Sequence, residues 1–223
     1  MTWDAAACWQ SLPSQAGRCA SSPKSAAVRN DFDLIERCRD RVLVGLSLTA
    51  APDSAAALEA LEPHASTLAE RIAALREAHD RGLRTYGMLC PLLPGLADSP
   101  AQVEQLVRIV VACGAEEVFA EPVNARGPGL RRTQEVLARR GFGREADAVG
   151  RVRRAPAWSA YVAELLASVQ HSVRAHCDIR WLRFLLYSSR ITPHHMAGIR
   201  ADDAGVVWLG QHGHRARSDD HGC

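Results

Sequence analysis

Between residues 42 and 141 the chain alternates short apolar runs with capped amphipathic stretches, and this alternation constrains the fold more than any other feature. Val42-Leu43-Val44-Gly45-Leu46-Ser47-Leu48 is apolar on both parities and rich in β-branched residues. It reads as a strand buried on both faces of a parallel sheet. A loop with Pro52 and Pro63 follows. Thr67 and Glu70 then stand in capping-box spacing, Leu68, Ile72, Leu75 and His79 share one face, and Gly82 supplies a stop. His79 reads as a boundary residue of that helix rather than a ligand. The unit repeats. Thr85 to Pro91 reads as a strand. Ser99 and Gln102 form a second capping box with Pro100 at the first helical position, Val103, Leu106, Val107 and Val110 make the stripe, and Gly114 ends it. Glu117 to Glu121 is the next strand, and a helix from Pro128 to Arg140 is closed by Gly141.

Such alternation implies parallel strands joined by crossovers, which leaves a doubly wound sheet or part of an α/β barrel. No GxGxxG or GxxxxGK[ST] follows a strand, which weighs against a Rossmann or P-loop unit. Asp31 to Arg41 reads as helical, and Cys19 to Ser25 as the end of a weak earlier strand. The total is about four strands, fewer than a closed barrel needs. The expected organisation is an irregular lead-in over 1–20, a partial α/β barrel over 21–150, a helical cap over 151–210 and a disordered tail over 211–223. In the cap, Ala157 to Cys177 is a long helix striped with Trp158, Tyr161, Val162, Leu165, Leu166 and Val169. Trp181 to Tyr187 and Val206 to Leu209 are short apolar pieces.

Composition narrows the class. The chain is 47% hydrophobic, as a folded globular protein is. It has no apolar run of the roughly 20 residues a membrane span needs, and no secretory signal is read at its start. A cytoplasmic location is the expectation. The cysteines at 8, 19, 38, 90, 113, 177 and 223 form no CxxC or CxxxCxxC, so no metal site is read from them and buried thiols are expected. All the basic residues are arginine except Lys24. In a chain so biased, a lone lysine marks either chance or a place where the compact ammonium is needed and the forked guanidinium does not fit.

Several segments, read in order, resemble the second half of the radical S-adenosylmethionine barrel in spore-photoproduct-lyase-like proteins. They are Pro23-Lys24-Ser25, Val44-Gly45-Leu46-Ser47-Leu48-Thr49, Leu61-Glu62-Pro63, Glu70-Arg71-Ile72 and Pro91-Leu92-Leu93-Pro94-Gly95. The resemblance covers roughly residues 20–190 and is carried by the ordered set, not by any one motif. It implies a partial TIM-like radical S-adenosylmethionine barrel with a C-terminal helical extension. It further implies that Lys24 neutralises the methionyl carboxylate of S-adenosylmethionine and that Ser47 donates a hydrogen bond to that cofactor. Functional groups in such barrels stand at the C-terminal ends of strands. For Glu62 and Arg71 a loop-bracing pair is the preferred reading. Glu121, Asn124 and Arg126 either face a substrate pocket or belong to a turn that needs an Asn and a Gly.

The sequence departs from the family at one point. The CxxxCxxC loop that anchors a [4Fe–4S] cluster is absent. The expectation is therefore a truncated relative, inactive alone, with residues 1–20 an unrelated lead-in. A barrel cut along its strands exposes an edge and an apolar inner face. Leu43, Leu46 and Val118 are expected to lose partners unless an N-terminal half-barrel fragment or self-association covers them. A different class of function rests on residues 126–154. There Arg126, Arg131, Arg132, Arg139, Arg140, Arg144, Arg151, Arg153 and Arg154 face only Glu135, Glu145 and Asp147. That segment reads either as a nucleic-acid-binding surface or as an arginine-biased solvated face. Its lack of aromatics other than Phe142 speaks against single-strand stacking. His212, His214, His221 and Cys223 read as an adventitious metal-binding tail.

Overall fold

The computed structural model describes residues 19–21, 24–125 and 128–209, with the backbone alone described for 19–21. A six-stranded sheet runs through the molecule in the order β1-β2-β3-β4-β5-β6, every neighbouring pair parallel. The strands are β1 Cys19–Ser21, β2 Val42–Ser47, β3 Thr85–Leu92, β4 Ala115–Pro122, β5 Leu182–Tyr187 and β6 Val206–Leu209. A doubly wound sheet reverses its strand order at a switch point. This order never reverses, and sequential order is how strands run around an α/β barrel. The sheet is compatible with part of such a barrel. Among the described strands, β1 and β6 are edges and do not pair with each other.

The connections carry α1 Phe32–Glu36, α2 Ala55–Leu61, α3 Leu68–Asp80, α4 Pro100–Ala112, α5 Gly129–Arg139, α6 Gly143–Arg151, α7 Ala155–His176 and α8 Pro193–Ala201. Both capping boxes are formed. The Glu70 amide donates to Thr67 Oγ1 at 3.2 Å while Glu70 Oε2 accepts from the Thr67 amide at 2.7 Å. Ser99 and Gln102 exchange the same pair of bonds at 3.2 and 3.4 Å. Gly114 ends α4 at φ +72°, a conformation that favours glycine, and the His79 ring lies where its Cβ would stand, 2.0 Å away. His79 is thus a packing residue at the foot of α3.

Strand parity divides the sheet into two faces. Val42, Val44 and Leu46 pack with Phe32 and Ile35 of α1 and with Ala74, Leu75 and Ala78 of α3. Leu89, Val118, Ala120, Leu182, Phe184 and Leu186 share a larger core with α4 and α7. The expectation that Leu46 and Val118 would lose partners is therefore corrected. Both are fully buried, because their parity turns them toward the helices that flank their strands. Leu43 has the opposite parity, yet it is only 6% exposed. On that opposite face the Tyr86 ring lies across Gly45, 2.3 Å from where a Cβ would stand, and meets Phe119 edge to face at 5.2 Å.

Three further expectations change. The strand count rises to six because the apolar pieces at 182–187 and 206–209 are strands of the same sheet, β5 and β6. Residues 151–209 are therefore not a helical extension laid over a finished barrel. They continue the parallel sheet, and α7 is the helix that covers β4 and β5. The 31–41 stretch is helical only over α1, with 3-10 turns at Ala26–Asp31 and Arg39–Arg41.

Candidate functional site

The C-terminal ends of the strands gather the polar side chains. Ser47 is the last residue of β2, and Lys24 lies just past β1. The described pairing of β1 with β2 ends at Ser21 and Val44. Parity adds Cys90 near the end of β3, Glu121 near the end of β4 and Tyr187 at the end of β5, all on the face turned away from the helices.

Three loops are tied together by one carboxylate. Glu62 Oε1 takes the Lys24 ammonium at 2.5 Å, and Glu62 Oε2 takes Arg71 Nη2 at 2.6 Å. Arg71, whose side chain is 1% exposed, also donates to the Ser66 carbonyl at 2.8 Å and to the Ser47 carbonyl at 2.9 Å. The Ser66 amide returns a bond to the Lys24 carbonyl at 3.0 Å, and Ser66 Oγ accepts from the Ala26 amide at 2.9 Å. Burial pushes the Glu62 carboxyl up, but hydrogen bonds from Lys24 and Arg71 outweigh it and hold the group below its ordinary value. The Glu62–Arg71 brace exists, and Lys24 shares it. Two cations against one carboxylate leave this corner positively charged. It borders a hollow of about 420 Å³ lined by Lys24, Ser25, Leu61, Glu62, Pro63, His64 and Ala65.

Farther along the rim the Cys90 thiol donates to Glu121 Oε2 at 3.1 Å. Burial, then the neighbouring Glu121, pushes that thiol up to about 12, so it stands as a protonated donor. Asn124 follows β4 and, with Glu121, lines a narrow notch beside Trp158, Leu185 and Tyr187. Arg126 lies outside the described residues. Cys90 and Tyr187 escaped sequence reading. The available signal was parity, since each is at or near its strand's last position on the face opposite the described helices.

Other clusters resolve into packing. Ser159 Oγ lies 3.0 Å from His195 Nδ1 and accepts from the Thr192 amide at 3.0 Å. With no exposed surface on Ser159, this group tethers the start of α8 and presents no nucleophile. The arginines at 131, 132, 139, 140, 144, 151, 153 and 154 are all exposed on and around α5 and α6, with Arg131 paired to Glu135 at 2.8 Å. The described thiols Cys38, Cys90, Cys113 and Cys177 are spread along the chain, Cys90 on β3 and the others at helix ends. Among the described residues no three His, Cys, Asp or Glu converge as metal ligands, so these residues do not fit an iron–sulfur cluster. Cys8, His212, His214, His221 and Cys223 lie outside the described residues, as do the lead-in before Cys19 and the tail. No described helix is long and apolar enough to cross a membrane.

Fold and rim together define an α/β protein with an all-parallel, sequentially ordered sheet and a polar strand-end site. No family model matches the chain. It is 25% identical over 117 residues to an uncharacterized protein, ORF301, of Acidianus two-tailed virus. The match covers 51% of this chain, and this chain spans 38% of that protein's length.

Proposed function

We propose that this chain is a radical S-adenosylmethionine-type partial barrel, akin to the spore-photoproduct-lyase-like group, that binds S-adenosylmethionine at its strand-end rim. In this reading it does not cleave the cofactor by itself. The observation that carries the reading is the Lys24–Glu62–Arg71 corner: two cations sharing one carboxylate, at the rim where α/β barrels hold their ligands. Its surplus positive charge suits a carboxylate, and the Lys24 side chain, 44% exposed, is free enough to turn toward one. Ser47 is only 6% exposed, so its carbonyl, fixed by Arg71, shapes the rim while Lys24 makes the main contact. No step is assigned to an iron–sulfur cluster, since the described residues do not supply its ligands.

The test is calorimetric titration of S-adenosylmethionine into the wild-type chain and Lys24→Ala. Loss of a charge-assisted contact is expected to weaken binding about tenfold or more. Absence of binding to the wild type, or equal affinity in the variant, would count against the reading.

The exposed arginines of α5 and α6 support a second reading, a surface for the phosphate backbone of duplex nucleic acid. It involves a separate part of the molecule and stands or falls independently.

A further inference from the structure

A hollow of about 550 Å³ lies between α7 and α8, and it shares no lining residue with the Lys24 corner. Its size is that of a small-molecule site. Ala163, Leu166 and Ala167 of α7 and Ala197, Gly198 and Ile199 of α8 give it a mostly apolar wall. Gly198 sits inside a helix, where glycine is unfavourable, and a Cβ there would meet no neighbouring atom within 4 Å. The space beside it is open, not packed.

Two polar side chains lining this hollow are each held fast with one function left over. His195 Nδ1 lies 2.8 Å from Thr192 Oγ1 and 3.0 Å from Ser159 Oγ, and the two hydroxyls lie 3.3 Å apart. Within this trio both hydroxyl protons find an acceptor only if one of them goes to Nδ1, which assigns the ring proton to Nε2. His195 is left with a donor to offer the hollow. His194, exposed and edge to face with His195 at 5.2 Å, adds a second imidazole at this end. Imidazoles can carry positive charge, so an acidic acceptor suits them better than a neutral one. Toward the other end of α8, Gln170 is 4% exposed, and its Nε2 donates to the Asp202 and Ala204 carbonyls at 3.0 Å each. Both amide hydrogens are spent, and among the described residues no donor meets Oε1. A buried acceptor of that kind is complemented by a donor. Asp202 beside it already has Arg174 at 2.9 Å, so this end does not favour a cation. His195 and Asp202, at the end of α8, are about 10 Å apart along the helix axis.

We infer that the α7–α8 hollow binds a small apolar carboxylate, with the carboxylate on His195 Nε2, the chain along the alanine and glycine wall, and a hydroxyl at the far end donating to Gln170 Oε1. The site goes beyond the rim reading and depends on none of it.

The test is calorimetric titration of the full chain with octanoate, ω-hydroxyoctanoate and octanol. Octanoate is expected to bind saturably, ω-hydroxyoctanoate about fivefold tighter and octanol about tenfold weaker. Gly198→Leu fills the hollow from a position with open space. It is expected to keep or raise the melting temperature and to weaken octanoate about tenfold or more. His195→Phe keeps a ring but removes the donor, and is expected to erase the preference for octanoate over octanol. Lys24→Ala is expected to leave octanoate unaffected. No saturable binding, equal affinity for octanoate and octanol, or octanoate binding that Gly198→Leu leaves unchanged would overturn the site. Octanoate binding lost in Lys24→Ala would place the ligand at the rim and overturn it too. If the hydroxyl adds nothing, the Gln170 contact is overturned. None of these outcomes bears on the titration of S-adenosylmethionine.

Discussion

Arg71 reaches Glu62 from a position where 1% of its side chain meets solvent, so the ion pair is anchored from inside the protein. Removing the countercharge from a buried guanidinium leaves a charge with no partner of opposite sign. Glu62→Gln is therefore expected to cost about 3 kcal/mol of unfolding free energy. Lys24→Ala breaks only the half-exposed arm and is expected to cost under about 1 kcal/mol. Urea denaturation of both variants measures the difference. Equal losses would mean that the pair is not anchored through Arg71.

The same carboxyl sets a pH dependence. Its folded value is held below the ordinary 4.5, so its contribution to stability is present above that value. The contribution is lost as the pH falls through the folded value. The gap between wild type and Glu62→Gln is expected to stay constant near neutrality and to shrink on acidification below about 4.5. A gap that widens in acid would contradict this sign.

Cys90 should be a slow thiol. With its thiol pushed up to about 12, alkylation in the native state is expected to lag far behind that of an exposed cysteine. Glu121→Gln removes a raising influence and is expected to speed the reaction, while Lys24→Ala removes a lowering one and is expected to slow it further. Mass spectrometry of the Cys90 peptide over time reads both. Opposite signs would place the two charges elsewhere.

Gly45 is a packing requirement. A Cβ there would stand 2.3 Å from the Tyr86 ring. Gly45→Ala is expected to destabilise by about 1–3 kcal/mol through overpacking. In the double variant with Tyr86→Ala the two losses should fall short of additive, because the ring that clashes is gone.

The exposed arginines make a separate prediction. Reversing Arg139, Arg140 and Arg144 to glutamate should weaken binding to duplex DNA and flatten its salt dependence, since each phosphate contact adds about one unit to the logarithmic slope. Unchanged affinity and slope would leave these arginines as a solvated face.

Much of the molecule was legible in the residues, and what was not has physical causes. Strands β2 to β4 and helices α3 and α4 announced themselves because each bears its own punctuation: a capping box, a stripe and a closing glycine. Strand β6 has four residues, too few for period two to stand out from a helical fragment, and in β5 the alternation begun by Leu182, Arg183 and Phe184 is broken by Leu185, a weak signal beside the long helix before it. The edge argument went wrong at Leu46 and Val118 because it treated every apolar strand residue as inward-facing, whereas parity assigns these two to the helices. At the rim, Lys24 and Glu62 were each singled out, but their meeting across 38 residues is a tertiary event that no local pattern encodes. The notch needed β5 to exist before Tyr187 could line it together with Glu121.

One consequence of the lone lysine lies in its accessibility to reagents. Every other cationic side chain that is permanently charged is a guanidinium, inert to acylating agents. The ε-amine beside Glu62 is thus the sole side-chain handle for amine-directed chemistry. A fluorophore, crosslinker or isotope tag aimed at lysine lands at the strand-end mouth without any engineering, and its protection by a bound molecule reports occupancy there.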